Sequence, residues 1–387
     1  MNWHSGEFQL HAIHTGRGES LFLIFPDSTT MLLDAGDHEP RDVPEDDLVA
    51  LLPNDSRRAG EWIARYVQRV NPAPDPTWVD YLVVSHLHSD HTGYDDPDGA
   101  PRGFAEVIQS LHFRKAIDRD YPNYTDPCPC VDQDIAAFLR SLYGTLQTRD
   151  GLAVERFDLG AHDQIHPLHG DVAGFSTFNL CANGRVADEK TGRIENFYRD
   201  YPDCQPGFTG KPWINENGMS LGFLVRYGAF SLFLAGDFSD RAVMPEGFER
   251  FEIEDRMAPL VPPVSVAKVN HHGHYSMTAK LVAALRAKVW FGSVWTKNQF
   301  VPPVMERLTD RSLYPGDRLV CPGVLPPVLE EARAAGTPYI ADIPPAAYEG
   351  GHVVITVPPG GETFTVQYLT AADESMRVTA SYEFPSR

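Results

Sequence analysis

The sequence predicts a sheet-rich α/β sandwich, and three features point to it. Apolar runs of strand length recur along the chain, several of them ending in an acid or an imidazole. Amphipathic stretches of helical period stand between them. Neither an internal repeat nor a long linker breaks the alternation, which excludes solenoid and coiled architectures.

Taken in order, residues 7–14, 20–26 and 30–34 read as three consecutive strands, with Gly16 and Gly18 at the first turn and Pro26-Asp27-Ser28 at the second. The third ends in Asp34-Ala35-Gly36-Asp37. A helix is expected over 58–70, with Trp62, Ile63, Tyr66, Val67 and Val70 on one face, and the proline-rich 71–76 stops it. A buried strand follows, Tyr81 to Val84. Beyond His91 come a Gly/Asp/Pro loop, a helix near 103–111, the loop 118–130, and a helix at 132–143 with Asp132 as N-cap and Gly144 just past its end. Segment 171–180 is read as a strand, and the polar stretch 183–216 as a binding loop because of its length. A hairpin covers 220–227 and 229–236, with Asp237 at its far end. A strand at 264–270, a helix at 277–287, a strand at 288–294, a helix at 328–335 closed by Gly336, and a hairpin of 352–357 with 362–369 complete the series.

Composition narrows the function. With 387 residues, 42% of them hydrophobic, the chain can bury a large core, in one domain or two. A formal net charge of −20 repels phosphate backbones at long range and disfavours long nucleic acid as a partner. Five cysteines without a CxxC pair make neither a disulfide framework nor a zinc knuckle. The first ten residues are polar, with no signal-peptide core, and no apolar run reaches membrane-spanning length. The expectation is a soluble, cytoplasmic protein without a membrane partner.

The chemistry concentrates in Ser85-His86-Leu87-His88-Ser89-Asp90-His91. Residues two apart in an extended segment point to one side, so His86 and His88 can grip one ion. Once the chain turns after Ser89, Asp90 and His91 can hold a second. Three more strand ends carry candidates: Asp34, Asp237 and the adjacent His271 and His272. Alone, an aspartate after a strand is a turn residue more often than a ligand. Their order along the chain is what gives them weight.

That order resembles the metallo-β-lactamase fold superfamily, through Leu33-Asp34-Ala35-Gly36, His86-Leu87-His88-Ser89-Asp90-His91, Ala235-Gly236-Asp237 and Lys268-Val269-Asn270-His271-His272-Gly273. Within it the chain looks most like the branch that holds the hydrolase domain of DNA-uptake competence proteins and the choline-phosphate esterase domains. Gly18-Glu19-Ser20, Asn217-x-x-Ser220-Leu221, Arg226-Tyr227-Gly228 and the closing helix and hairpin, Leu329 to Val366, carry that likeness. The resemblance implies a four-layer αββα sandwich over residues 1–387 as a single domain, with an inserted substrate or lid region at about 95–216. It implies that His86 and His88 bind metal 1, that Asp90 and His91 bind metal 2, and that Asp237 bridges them. His272 is the expected last ligand of metal 2, with His271 facing the substrate or donating a proton. Asp34, Asn217 and Ser220 would orient these groups from behind. Many relatives place a further histidine on metal 1 where Asn217 and Ser220 stand here, which leaves that ion more open; His166 and His169 are the substitutes considered, and both are read as loop histidines.

The implied cofactors are two divalent ions, zinc or else manganese. Such ions, about 3.5–4 Å apart, share a hydroxide and stabilise an oxyanion, with Asp90 helping to orient the nucleophile. The leading expectation is hydrolysis of a phosphodiester or phosphoester in a small-molecule substrate, with lactone, amide or thioester hydrolysis on the same site as the alternative. A diiron redox role would favour a carboxylate where His88 stands, and a ligand-free scaffold would not keep the whole set. Aromatic residues of the inserted region, Tyr121, Tyr124, Phe197, Tyr198, Tyr201, Phe208 and Trp213, can stack on a substrate or form a small core of their own.

Overall fold

A computed structural model describes residues 3–40, 43–207, 209, 214–239 and 253–387. The strands are β1 (Phe8–Ala12), β2 (Leu21–Ile24), β3 (Thr30–Leu33), β4 (Trp78–Val83), β5 (His112–Asp118), β6 (Ala153–Arg156), β7 (Phe175–Ala182), β8 (Arg185–Ala187), β9 (Ile194–Asn196), β10 (Gly222–Tyr227), β11 (Phe230–Ala235), β12 (Val266–Lys268), β13 (Val289–Gly292), β14 (Leu319–Pro322), β15 (Gly351–Val357), β16 (Thr363–Thr370) and β17 (Val378–Pro385). They form a nine-stranded sheet in the order β17-β16-β15-β1-β2-β3-β4-β5-β6 and an eight-stranded sheet in the order β14-β13-β12-β11-β10-β7-β8-β9. Both sheets are mixed: β3 to β6 run parallel in the first and β11 to β14 in the second, and the remaining neighbours are antiparallel. The expected α/β sandwich is present at this level.

The central strands of the first sheet, β1 to β4, are buried on both faces, and their alternation shows how. Leu21 and Leu23, with Tyr81 and Val83, point into a large core shared with Phe223, Val225 and Leu232 of the second sheet. Phe22 and Ile24, with Leu82 and Val84, point the other way, against helices α1 (Ala59–Val70) and, after the short turns α2 (Ser89–Thr92) and α3 (Phe104–Val107), α4 (Gln133–Asp150). The stripe expected on α1 is the one that packs here, with Ile63, Tyr66, Val67 and Val70 all buried.

Several boundaries differ from expectation. The helix expected to stop at Gly144 runs to Asp150 and is closed by Gly151 in a left-handed conformation (φ 72°), so Gly144 lies inside it. Asp132 takes the N-cap position without a capping hydrogen bond from its side chain. The helix expected near 103–111 is a single turn followed by β5. The stretch 183–216 contains the paired strands β8 and β9. More broadly, residues 95–216 supply β5 and β6 to the first sheet and β7 to β9 to the second. Among the described residues no helix is long and apolar enough to cross a membrane.

Candidate metal centre

Parallel neighbours end at the same edge, and that edge carries the candidate residues. Asp34 follows β3, the 86–91 segment follows β4, Asp237 follows β11, and the turn 270–273 follows β12. The carboxyl ends of parallel strands are where α/β sheets place their sites, because side chains leaving there converge above the sheet.

The loop after β4 is held from below by backbone contacts. Ala35, Gly36 and Asp37 donate their N–H groups to the His91, Glu19 and Ser89 carbonyls, and Glu19 N–H donates to Asp90 O at 2.8 Å. Space is so tight that a Cβ on Gly36 would stand 1.7 Å from Asp90 O, which explains the glycine two residues after Asp34. At the other side Leu87 N–H donates to Glu216 Oε1 (3.1 Å), and Glu216 is in turn clamped by the fully buried Arg119. His271 and His272 both have left-handed backbone (φ 48° and 50°), an uncommon conformation for histidine that aims their rings in different directions.

Four of the expected residues converge: ligand atoms of Asp90, His91, Asp237 and His272 all lie within 4.8 Å of one another. His91 Nε2 is 3.1 Å from Asp237 Oδ2 and 3.2 Å from His272 Nε2, and His272 Nε2 is 3.1 Å from Asp90 Oδ2. Beside them, His86 Nε2 and His88 Nδ1 meet at 3.2 Å. His272, not His271, enters the cluster; His271 Nε2 sits 3.3 Å from Asn217 Nδ2. Asp34 lies behind, accepting from Ser85 N–H and holding His91 Nδ1, both at 2.8 Å. Ser220 Oγ accepts from Asp237 N–H at 2.9 Å. His169 instead bonds Asp80 and the His166 backbone meets Tyr81, so neither joins the cluster.

The donor chemistry fits a cation. In the neutral ring, a carboxylate at 2.8 Å favours the proton on His91 Nδ1 and leaves the Nε2 lone pair facing Asp237 and His272. Two Nε2 atoms 3.2 Å apart repel when both carry protons and leave a carboxylate undersupplied when only one does, whereas a divalent ion serves all four groups. Burial disfavours the charged form of His91, but Asp237, Asp90 and Asp34 outweigh it and raise its pKa well above the usual value. The same balance, burial against Asp237 and Asp90, raises His272 to about 9. Burial works against ionisation of Asp237 too, yet His91, His272 and Lys268 hold it well below the carboxylate range. His86, by contrast, is pushed far down by burial and by its neighbours His91 and His88. A second grouping, Glu19 with Asp34 and His91, could also hold a metal ion.

The centre opens on a cavity of about 430 Å³ lined by His88, Asp90, Asp132, His271, His272 and Trp295, among others. No lysine or arginine is among its described lining residues. Sequence reasoning misses Trp295, since a lone tryptophan after a strand carries no pattern. It also misses the role of Glu19 and Lys268, which are joined at 3.0 Å, with Lys268 Nζ also 3.5 Å from Asp237 Oδ1. Each of them stands inside a motif, and that was the signal that could have found them. The described aromatic residues of the inserted region do not line this cavity. Tyr198 and Tyr201 pack with Cys128, Ile214 and Met219 in a small core, Phe197 packs on the main core, and Tyr121 and Tyr124 belong to the helix-side core. Phe208 and Trp213 lie outside the described residues. No family model matches the sequence, and no curated protein matches it.

Proposed function

We propose that this protein is a dinuclear metal-dependent hydrolase of the metallo-β-lactamase type, with helices outside two packed sheets, and that it cleaves a phosphodiester or phosphoester of a small molecule. The observation that carries the reading is the convergence of Asp90, His91, Asp237 and His272 beside the His86–His88 pair, at the floor of an open cavity. His86 and His88 would hold one ion, Asp90, His91 and His272 the other, and Asp237 would contribute to both. Zinc suits this set of imidazoles and carboxylates, and two such ions supply Lewis acidity and a nucleophile at neutral pH.

The chain's own residues do the remaining work. Asp34 fixes the ring of His91, and Ser220 fixes the backbone of Asp237, so neither ligand reorganises when substrate enters. His271 lines the cavity, and burial holds its pKa down to about 4, with the pull of Asp237 offsetting that only in part. Near neutrality it is therefore an uncharged ring able to orient a substrate oxygen. The cavity wall carries Asp47 and Asp132 and, among its described residues, no lysine or arginine. That disfavours a long polyanion and leaves the ions to attract a single phosphoryl group.

The test is metal analysis combined with a substrate comparison. Close to two ions per chain and turnover of bis(p-nitrophenyl) phosphate are expected. One ion or none rejects the dinuclear assignment, and rapid opening of chromogenic lactones without phosphodiester cleavage reverses the choice of substrate.

A further inference from the structure

We propose that a second cavity, on the far side of the segment that follows Asp34, binds a phosphate- or carboxylate-sized anion. It has a volume of about 150 Å³ and is lined by Arg17, Arg58 and Arg102 together with His38, Tyr94 and Ala59. Three guanidinium groups around one small space stand out in a chain of net charge −20. Among the described residues, their partners leave donors in reserve. Arg17 gives Nη1 to the carbonyls of Gly16 and Val49 at 2.7 and 2.8 Å. Arg58 gives Nη1 to Pro101 O at 3.3 Å, and its Nε stands 3.8 Å from Glu106. Arg102 gives Nε and Nη2 to Asp96 at 2.8 and 2.7 Å, and its Nη1 reaches only Asp37, at 3.7 Å.

His38 is the independent sign of a ligand. The residue is 4% exposed, and neither ring nitrogen has a hydrogen-bond partner among the described residues. The nearest acceptors, Asp37 Oδ1 at 3.6 Å and Glu45 Oε1 at 3.3 Å, are not in hydrogen-bonding geometry. An unsatisfied buried imidazole is costly, and an oxygen placed between it and the arginines would satisfy it. The twelve-residue helix α1 begins at Ala59, so its positive end faces the same space.

Two carboxylates, Asp37 and Glu45, share the lining. Glu45 is two-thirds exposed and stands 3.9 Å from Arg17 as well as 3.3 Å from His38. Its carboxylate therefore already occupies the place of an anion and can swing into solvent when one arrives. The cavity adjoins the metal centre: the His38 and Trp295 rings are 6.2 Å apart, and Trp295 lines the metal-side cavity. The anion can be a remote acidic group of the substrate or a free ion, and the recognition chemistry is the same for both. The inference stands on this cavity alone and does not need the hydrolase reading.

Calorimetric titration of inorganic phosphate into the 387-residue chain, treated with chelator so that the metal centre cannot hold phosphate, tests it. Saturable binding of one phosphate per chain is expected. Arg58→Gln should weaken it about tenfold, the loss of one charge-assisted hydrogen bond, and Arg58→Glu should abolish it. The exposed Arg193→Gln should bind as the parent does. If the Arg58 variants melt early, His38→Gln carries the same expectation. Absence of saturable binding to the parent overturns the proposal, as does unchanged affinity in variants that melt like the parent. With metal restored, a KM rise in Arg58→Gln confined to substrates with a second acidic group assigns the site to substrate. Unchanged KM for all substrates, with phosphate affinity lost, assigns it to a free anion.

Discussion

Replacing Asp34 by asparagine removes one charge from behind the candidate metal centre without altering shape. Asp34 has left-handed backbone (φ 61°), which asparagine tolerates better than most residues, so the turn should survive. The carboxylate receives two donors, Ser85 N–H and His91 Nδ1–H, each at 2.8 Å. An amide offers only one oxygen. If that oxygen stays with Ser85, the amide nitrogen faces His91 Nδ1 and favours the tautomer with the proton on Nε2, where a cation would sit. If it stays with His91, the amide N–H₂ meets Ser85 N–H, and an unpaired buried donor costs about 1–3 kcal/mol. Loss of such an orienting partner typically weakens metal affinity about 10–100-fold, or about 1.4–2.7 kcal/mol. Competition for zinc against a chromophoric chelator measures this, and thermal melting of the metal-free chain confirms that the fold is kept. An Asp34→Asn variant that folds and binds zinc within about twofold of the parent would refute an orienting role for Asp34.

Asp237→Ala removes the carboxylate that stands 3.1 Å from His91 and 3.2 Å from His272, and should abolish metal retention and turnover together; normal activity would contradict the bridging role proposed for it. Gly144→Ala should stabilise the chain by up to about 1 kcal/mol in urea denaturation, because the position is helical and an added Cβ meets nothing within 4 Å. Burial holds His11, His14 and His352 neutral, with pKa values of about 3, 4 and 3. An unfolded histidine takes up a proton near pH 6.5 while these do not, so stability falls as pH drops below that value and the loss levels off below about 3–4. At about pH 5 each contributes a loss of roughly 2 kcal/mol, and His352→Gln should flatten the pH dependence of the metal-free chain by about a third of this three-histidine share.

The parts of the fold that are legible in the sequence are those with a strong period or a strong terminus. Helix α1 shows its stripe because one face packs on the sheet and the other meets water. The candidate metal ligands His86, His88, Asp90 and His91 are visible because one strand end concentrates them within six positions. Strand β5 is hidden because Arg114 and Lys115 interrupt its apolar pattern; the structure places their cationic groups over the rings of Trp78 and Tyr81, so charge there does not argue against a strand. Strand β17 is absent from the expected series although Val378, Ala380, Tyr382 and Phe384 alternate with polar residues; it is an edge strand in which none of these side chains is fully buried. Glycine at 144 reads as a stop, yet propensity costs only about 1 kcal/mol there, and the buried residues Leu142, Tyr143 and Leu146 around it outweigh that. The Glu19–Lys268 pair joins two sheets, and no local period can announce a contact between segments so far apart in sequence.

The position of the centre follows from the mixed character of both sheets. Each has a parallel half, and within it the side chains that leave consecutive strands emerge at one edge. Packing the sheets face to face brings those edges together, so Asp90 and His91 from the first meet Asp237 and His272 from the second across 4.8 Å or less. A cation there would also tie together two sheets that no disulfide links, since all five cysteines are free. Without it, the surrounding carboxylates raise the pKa values of His91 and His272 and favour protons on both rings, at the cost of repulsion between Nε2 atoms 3.2 Å apart. A metal ion and protons would therefore compete for one set of lone pairs, so metal uptake would release protons and affinity would fall as the solution becomes acidic. The anion cavity lies just beyond this edge, where arginines replace imidazoles and the preferred ligand changes sign.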